Sequence, residues 1–185
     1  MQTAKKPTKD ELAAANGKTI PDLIGPDLKV LFCGINPSLY TAVTGYNFAR
    51  PGNRFWPTLH KAGFTPKLYL PHEQENLLEL GYGLTNVVDR ATGSAAELSK
   101  VELIEGGINL VEKVIEYQPH VLALLGLTAY RVAFGKATAG IGLQEQTIGQ
   151  TRLWVLPNPS GLNAHFPPKE LVKVYSQLRT YVNEL

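Results

Sequence analysis

Hydrophobic positions in this chain follow two rhythms. Short, mostly apolar runs occur at 29–33 (KVLFC), 83–88 (GLTNVV), 121–125 (VLALL) and 152–156 (RLWVL), bordered by glycine, proline or other turn formers. Runs of that length between turn residues predict buried strands. Elsewhere apolar residues recur every three or four positions. Leu98, Val101, Ile104, Ile108, Val111 and Ile115 form one such series. Leu171, Val174, Tyr175, Leu178 and Tyr181 form another, opened by Pro167-Pro168. Both predict amphipathic helices, whose apolar stripe ordinarily faces a core. Gly106-Gly107 weaken the first of them internally. Shorter helices are predicted at 10–15, 73–80 and 128–134. Asn53 is placed to cap another carrying Phe55, Trp56 and Leu59, with Gly63 ending it. Residues 36–52 read as a loop. Residues 145–148 and 152–156 flank Gly149-Gln150 and predict a hairpin.

The resulting order is β, α, α, β, α, β, α, β, α, with a hairpin strand. Alternation of this kind predicts the α/β class, a three-layer α/β/α domain with a central, mainly parallel sheet. No repeat or linker divides residues 21–185, which read as one domain long enough to bury a core. Residues 1–20 carry Lys5, Lys6, Lys9 and Lys18 and read as a flexible basic arm, either a solvated tail or a segment that touches phosphates.

Charge and composition narrow the chemistry. A formal net charge of +2 permits a polyanionic partner without requiring one. Cys33 is the single cysteine and sits in an apolar run, so it reads as a small buried hydrophobe. One cysteine excludes an internal disulfide and a cysteine-ligated cluster, and points to a reducing compartment. His60, His72, His120 and His165 show no paired ligand spacing, so neither metal nor cofactor is expected. No apolar stretch is long enough to span a bilayer, and the N-terminus lacks a signal-peptide core. The expectation is a monomer in the cytoplasm, nucleoid-associated, with no membrane partner.

Two loops carry the candidate chemistry. Gly34-Ile35-Asn36-Pro37-Ser38 follows the first predicted strand, and Asn158-Pro159-Ser160-Gly161-Leu162-Asn163 follows the last. Ligands of open α/β sheets bind at the carboxyl ends of strands, so two stiff polar loops there can share one pocket. Gly34 permits close approach and Pro37 fixes the chain after Asn36. The Asn36 carboxamide can hold a water for attack, though it is no strong base; it can equally just close a turn. Tyr46 to Trp56 interleaves aromatic and basic residues, as surfaces that stack bases do. Phe48 is the stacking candidate there, while Phe55 and Trp56 read as core. Leu162, apolar at a loop tip, is a candidate wedge between base pairs or a residue packed under its loop.

The motifs G-I-N-P (34–37), G-Y-N-F (45–48), N-R-F-W (53–56) and L-P-N-P-S-G-L-N (156–163) resemble those of the mismatch-specific uracil-DNA glycosylases, relatives of thymine-DNA glycosylase within the uracil-DNA glycosylase superfamily. V-D-R (88–90) and Y-Q-P (117–119) fit as well, and the resemblance runs from about residue 28 to the C-terminus. It implies a monofunctional DNA repair glycosylase. Such an enzyme flips uracil, or thymine or a damaged pyrimidine, out of double-stranded DNA at G·U or G·T mismatches and hydrolyses the N-glycosidic bond. On that resemblance Gly34, Ile35 and Asn36 hold the pyrimidine and water, Phe48 stacks on the base, and Asn158 steadies the leaving base. Ser160, Gly161, Leu162 and Asn163 form the loop that enters the duplex. Relatives often carry glycine at the position of Ser38, and an arginine shortly after the wedge, where this chain has Ala164 and His165.

Highly active uracil glycosylases place an aspartate where this chain has Asn36. Asp89, after the 83–88 run, is the carboxylate expected to compensate by activating water or stabilising the sugar cation; alternatively it pairs with Arg90 or caps a turn. Asn86, on the same strand, is a further candidate contact to the base. Three other readings remain open. A hydrolase using Ser160, His165 and Asp89 lacks the G-x-S-x-G elbow. A nucleotide-binding module lacks the glycine fingerprints. A non-catalytic lesion binder keeps fold and wedge.

Overall fold

The computed structural model describes residues 6–185. In chain order the elements are α1 (Lys9–Ala14), β1 (Val30–Gly34), α2 (Leu39–Thr44), α3 (Phe55–Lys61), α4 (Asn76–Glu79), β2 (Tyr82–Asn86), α5 (Lys100–Tyr117), β3 (Val121–Leu125), α6 (Leu127–Ala133), β4 (Gly142–Ile148), β5 (Thr151–Leu156) and α7 (Pro168–Asn183). The sheet runs β2-β1-β3-β5-β4. Every pairing is parallel except β4 with β5, the expected hairpin.

Side-chain alternation in β1 shows how the layers arise. Successive strand residues point to opposite faces. Val30 and Phe32 enter one core, with Phe55, Trp56, Phe64 and Tyr175, beneath α3 and α7. Leu31 and Cys33 enter the other, with Leu110, Val114, Leu122 and Tyr130, beneath α5 and α6. The strand is buried on both faces, which explains why it reads as a continuous apolar run. This is the three-layer arrangement expected from the sequence.

Several local readings change. Residues 36–52 are not all loop: Ser38 Oγ accepts the Thr41 N–H at 3.1 Å and caps α2, which Gly45 ends at φ 76°. Strand β2 stops at Asn86 rather than 88, because the N–H groups of Val87 and Val88 turn to the carbonyls of Gly34 and Ile35. The 73–80 segment divides into a 3-10 turn at Pro71–Glu73 and the short α4.

The face of α5 is the largest reversal. Its buried residues are Gly106, Gly107, Leu110 and Val114, whereas Val101, Ile104, Ile108 and Ile115 are exposed. The glycines explain this. A Cβ at 106 would sit 2.2 Å from the Val87 carbonyl oxygen, and one at 107 would sit 2.6 Å from that of Ala133. The glycine side is therefore the close-packed side.

The described part of the segment read as an arm is mostly exposed but is anchored to the domain at several points. Thr8 and Glu11 form a capping box on α1, and Ala15 is fully buried. Gly17 donates to Ala91 O, and Ala91 N–H returns to Lys18 O. Asp22, just beyond, accepts from Thr85 Oγ1 at 2.7 Å and pairs with Lys113 Nζ at 2.5 Å. Residues 1–5, with Lys5, lie outside the described part. No helix among the described residues is long and apolar enough to cross a membrane.

Candidate active site

The loops leaving β1, β2 and β5 enclose a cleft of about 380 Å³ at the carboxyl edge of the sheet. It brings together Gly34, Ile35, Asn36, Phe48, Asn158, Ser160, Leu162 and Asn163. Gly161 packs at its rim, where a Cβ would meet the Gly52 carbonyl oxygen at 2.4 Å. The strand-exit logic thus assembles residues more than a hundred positions apart.

Gly34 is needed for its size. A Cβ there would lie 2.6 Å from Asn86 Oδ1 and 3.4 Å from Phe48 Cζ. Its absence lets both side chains close on the β1 exit. Asn86 is buried, lines the cleft and has no protein hydrogen-bond partner for its carboxamide among the described residues. Its carboxamide is open to the cleft, where a ligand or water can meet it.

Asn36 is held at one end. Its Nδ2 donates to the Arg90 carbonyl at 3.0 Å and to Thr92 Oγ1 at 2.7 Å. A carbonyl can only accept, so the NH2 end must face it, and Oδ1 is left as an acceptor. Asn158 is held in the opposite sense. Its Oδ1 accepts the Ser160 N–H at 2.9 Å, which leaves its NH2 as a donor. The two amides at the two strand exits therefore offer complementary functions: one free acceptor, one free donor.

Phe48 occupies the left-handed region at φ 54° and stacks on Phe55, centroids 4.0 Å apart and planes 22° apart. Such a conformation persists only when its surroundings impose it. Here Gln74 Oε1 accepts from Asn47 N–H at 2.9 Å and Asn47 Nδ2 at 3.2 Å, while Trp56 Nε1 donates to Asn47 O at 3.1 Å. Phe55 and Trp56 are core, as expected.

The 158–166 loop is clamped by Arg54. Its guanidinium donates to the carbonyls of Ser160, Asn163 (2.8 Å) and Phe166 (2.8 Å), and its backbone N–H donates to Pro159 O at 2.9 Å. Leu162 projects from this fixed loop, 80% exposed. It does not pack beneath the loop. Neither Arg54 nor Thr92 stands out in the sequence as part of the site. The arginine lies inside a motif but without a visible partner, and Thr92 is separated from Asn36 by most of the first half of the chain.

Asp89 does not join them. It is exposed and lines no part of the cleft. The reason is local. Val87 and Val88 are drawn into the α5-side core, so the next side chain emerges in solvent. Nor does Asp89 pair with Arg90, whose Nε binds Glu102 Oε1 at 2.5 Å. That guanidinium, with the Ser99 N–H and hydroxyl, holds the Glu102 carboxyl down to about 2. Among the described residues lining the cleft, Arg50 is the one ionisable side chain. A Ser160–His165–Asp89 arrangement is not formed: His165 and Asp89 both lie outside the cleft, and Ser160 Oγ accepts the Leu162 N–H. Cys33 is fully buried, and that burial pushes its thiol well above the ordinary range, so it is no nucleophile. No three His, Cys, Asp or Glu side chains converge as metal ligands among the described residues.

A cleft lined by amides and backbone dipoles, with no carboxylate among the described lining residues, can orient water and steady a leaving anion. It has no general base of its own. Comparison with known proteins agrees with the architecture. A solution NMR structure of a protein from Methanosarcina acetivorans, provisionally assigned as a uracil DNA glycosylase, superposes with a TM-score of 0.59 at 18% identity. The match covers 88% of this chain and 98% of that one, and at such identity it speaks for the fold. A family model described as the uracil DNA glycosylase superfamily matches residues 21–179. With the sheet order, the strand-exit cleft and this match in agreement, the chain belongs to the uracil DNA glycosylase superfamily.

Proposed function

We propose that this protein is a monofunctional DNA glycosylase that removes uracil, and more slowly thymine, from G·U and G·T mismatches in double-stranded DNA, acting as a single copy. The opposed anchoring of Asn36 and Asn158 carries this reading. A base inside a duplex is out of reach, so it must be extruded into a pocket. Leu162 is the wedge that fills the vacated space, on a loop stiffened by Arg54. Phe48 stacks on the extruded base, and the free Asn86 carboxamide reads its polar edge. The Asn158 NH2 donates to the pyrimidine oxygen as the C1′–N1 bond breaks and its electron pair moves onto the base. The sugar passes through an oxocarbenium-like state. Water held on Asn36 Oδ1 forms the new C1′–O bond and releases its proton to solvent. Preorganised donors at a developing anion are worth several kcal/mol.

The test is incubation, without added metal, of the protein with end-labelled duplexes carrying U·G, U·A or T·G, and with single-stranded U, followed by alkali. Alkali-labile sites at U·G, with weaker cleavage at T·G and U·A, are the expected result. Tight binding to the U·G duplex without cleavage on any substrate would replace catalysis with non-catalytic lesion binding, the reading that the absence of a carboxylate favours.

A further inference from the structure

Helix α5 carries a feature that the cleft does not use. Val101, Ile104, Ile108, Val111 and Ile115 follow one another at spacings of three, four, three and four. That is the spacing of an interhelical seam, carried over two heptads, and all five residues are β-branched. Val111 packs partly against the α5-side core, but the other four are turned outward: Val101 is 61% exposed, Ile104 46%, Ile108 57% and Ile115 57%. Core packing is satisfied by the opposite side of the helix, through Gly106, Gly107, Leu110 and Val114. The seam runs for roughly 21 Å along the helix and exposes on the order of 400 Å² of apolar surface, the size of the largest patch on a typical monomer, which is often functional.

Charge decides what fits it. Glu105 and Glu112 border the seam on its free side, with Glu116 beyond. All three are exposed and none forms an ion pair among the described residues. Glu102 is taken by Arg90, and Lys113 by Asp22. Only Lys100, at the amino end, offers positive charge along the helix. Nucleic acid and anionic bilayers are repelled by such a rim. A second copy fits poorly too. Antiparallel pairing sets the unpaired glutamates of one copy against those of the other. We infer that α5 is a docking surface for an amphipathic helix of another protein, with branched apolar residues at the same spacing and Lys or Arg along its flanks. None of the seam residues lines the cleft, so docking is compatible with work there and the inference stands apart from the reading of that site.

The test uses the full chain, ¹⁵N-labelled, titrated with a synthetic helical peptide bearing Ile and Leu at three-four spacing and Lys and Arg on both flanks. A second peptide has Glu on the flanks, and a third has the apolar spacing scrambled. Expected are amide shift changes confined to α5 for the first peptide alone. Affinity should fall about tenfold, or 1.4 kcal/mol, in the Ile104→Gln/Ile108→Gln variant, whose substitutions are at exposed sites and leave base release unchanged. The Glu105→Lys/Glu112→Lys variant should instead prefer the glutamate-flanked peptide. Absence of binding, shifts outside α5, or equal binding of all three peptides would overturn the proposal. So would a dimer in sedimentation that the Ile104→Gln/Ile108→Gln variant abolishes, since a second copy would then be the occupant.

Discussion

At the residue scale the site depends on how small groups are held. Asn36 serves as an oriented acceptor because Arg90 O and Thr92 Oγ1 take its NH2 end. Replacing it with alanine should lower base release from U·G duplex about 10²- to 10³-fold, measured under single-turnover conditions, while the loss of its two hydrogen bonds lowers the melting temperature by only a few degrees. Asp89→Asn should leave the same rate within about twofold, because that carboxylate is exposed and outside the cleft. A large loss in Asp89→Asn would mean that the duplex draws this segment into the pocket. The two asparagine loops were legible in the sequence, since strand exits and Asn-Pro pairs are local features. Their opposite orientation was not. It is set by partners as remote as Thr92, and no spacing rule connects residues 36 and 92.

At the element scale, α5 and the loop after β5 show how packing overrides pattern. The apolar period of α5 correctly identified a helix and gave the wrong inward face, because two adjacent glycines allow an approach that larger residues forbid. Gly106→Ala should therefore destabilise the fold by about 1–3 kcal/mol, since its methyl meets a backbone carbonyl that cannot move aside. Val101→Ala should change stability by less than about 0.5 kcal/mol. Urea denaturation of both variants checks this, and the reverse order would restore the seam to the core. The wedge loop has no regular structure and borrows rigidity from Arg54, which satisfies three of its carbonyls. Charge-assisted bonds of this kind are worth about 1.5–3 kcal/mol each. Arg54→Gln should lower kcat/KM on U·G duplex about tenfold or more while sparing single-stranded uracil, which needs no wedge. An equal loss on both substrates would mark Arg54 as merely structural.

At the scale of the whole molecule, the sheet sets one edge for chemistry and two faces for cores, and ties between segments keep that edge in register. One tie is Arg90 with Glu102, which joins the segment after β2 that holds Asn36 in place to the start of α5. The Glu102 carboxyl is held near 2, below its ordinary 4.5, first by the Arg90 guanidinium and then by Ser99. A depressed folded-state value means that the stabilisation is complete above about pH 4.5 and disappears as pH falls through about 2. Thermal melts between pH 6 and 2 should accordingly show a slope in that window that Glu102→Gln reduces; an unchanged slope would remove this tie from the acid sensitivity. The sequence by itself determined the α/β class, the strands, the long helices and the loops that meet at the sheet edge, because periodicity, glycine, proline and asparagine act through neighbouring residues. Tertiary structure alone decided which face of α5 is inward, which carboxylate stays out of the cleft, and which end of each asparagine is free. Those outcomes rest on contacts between segments far apart in the chain, where a missing Cβ or a single carbonyl outweighs the local pattern.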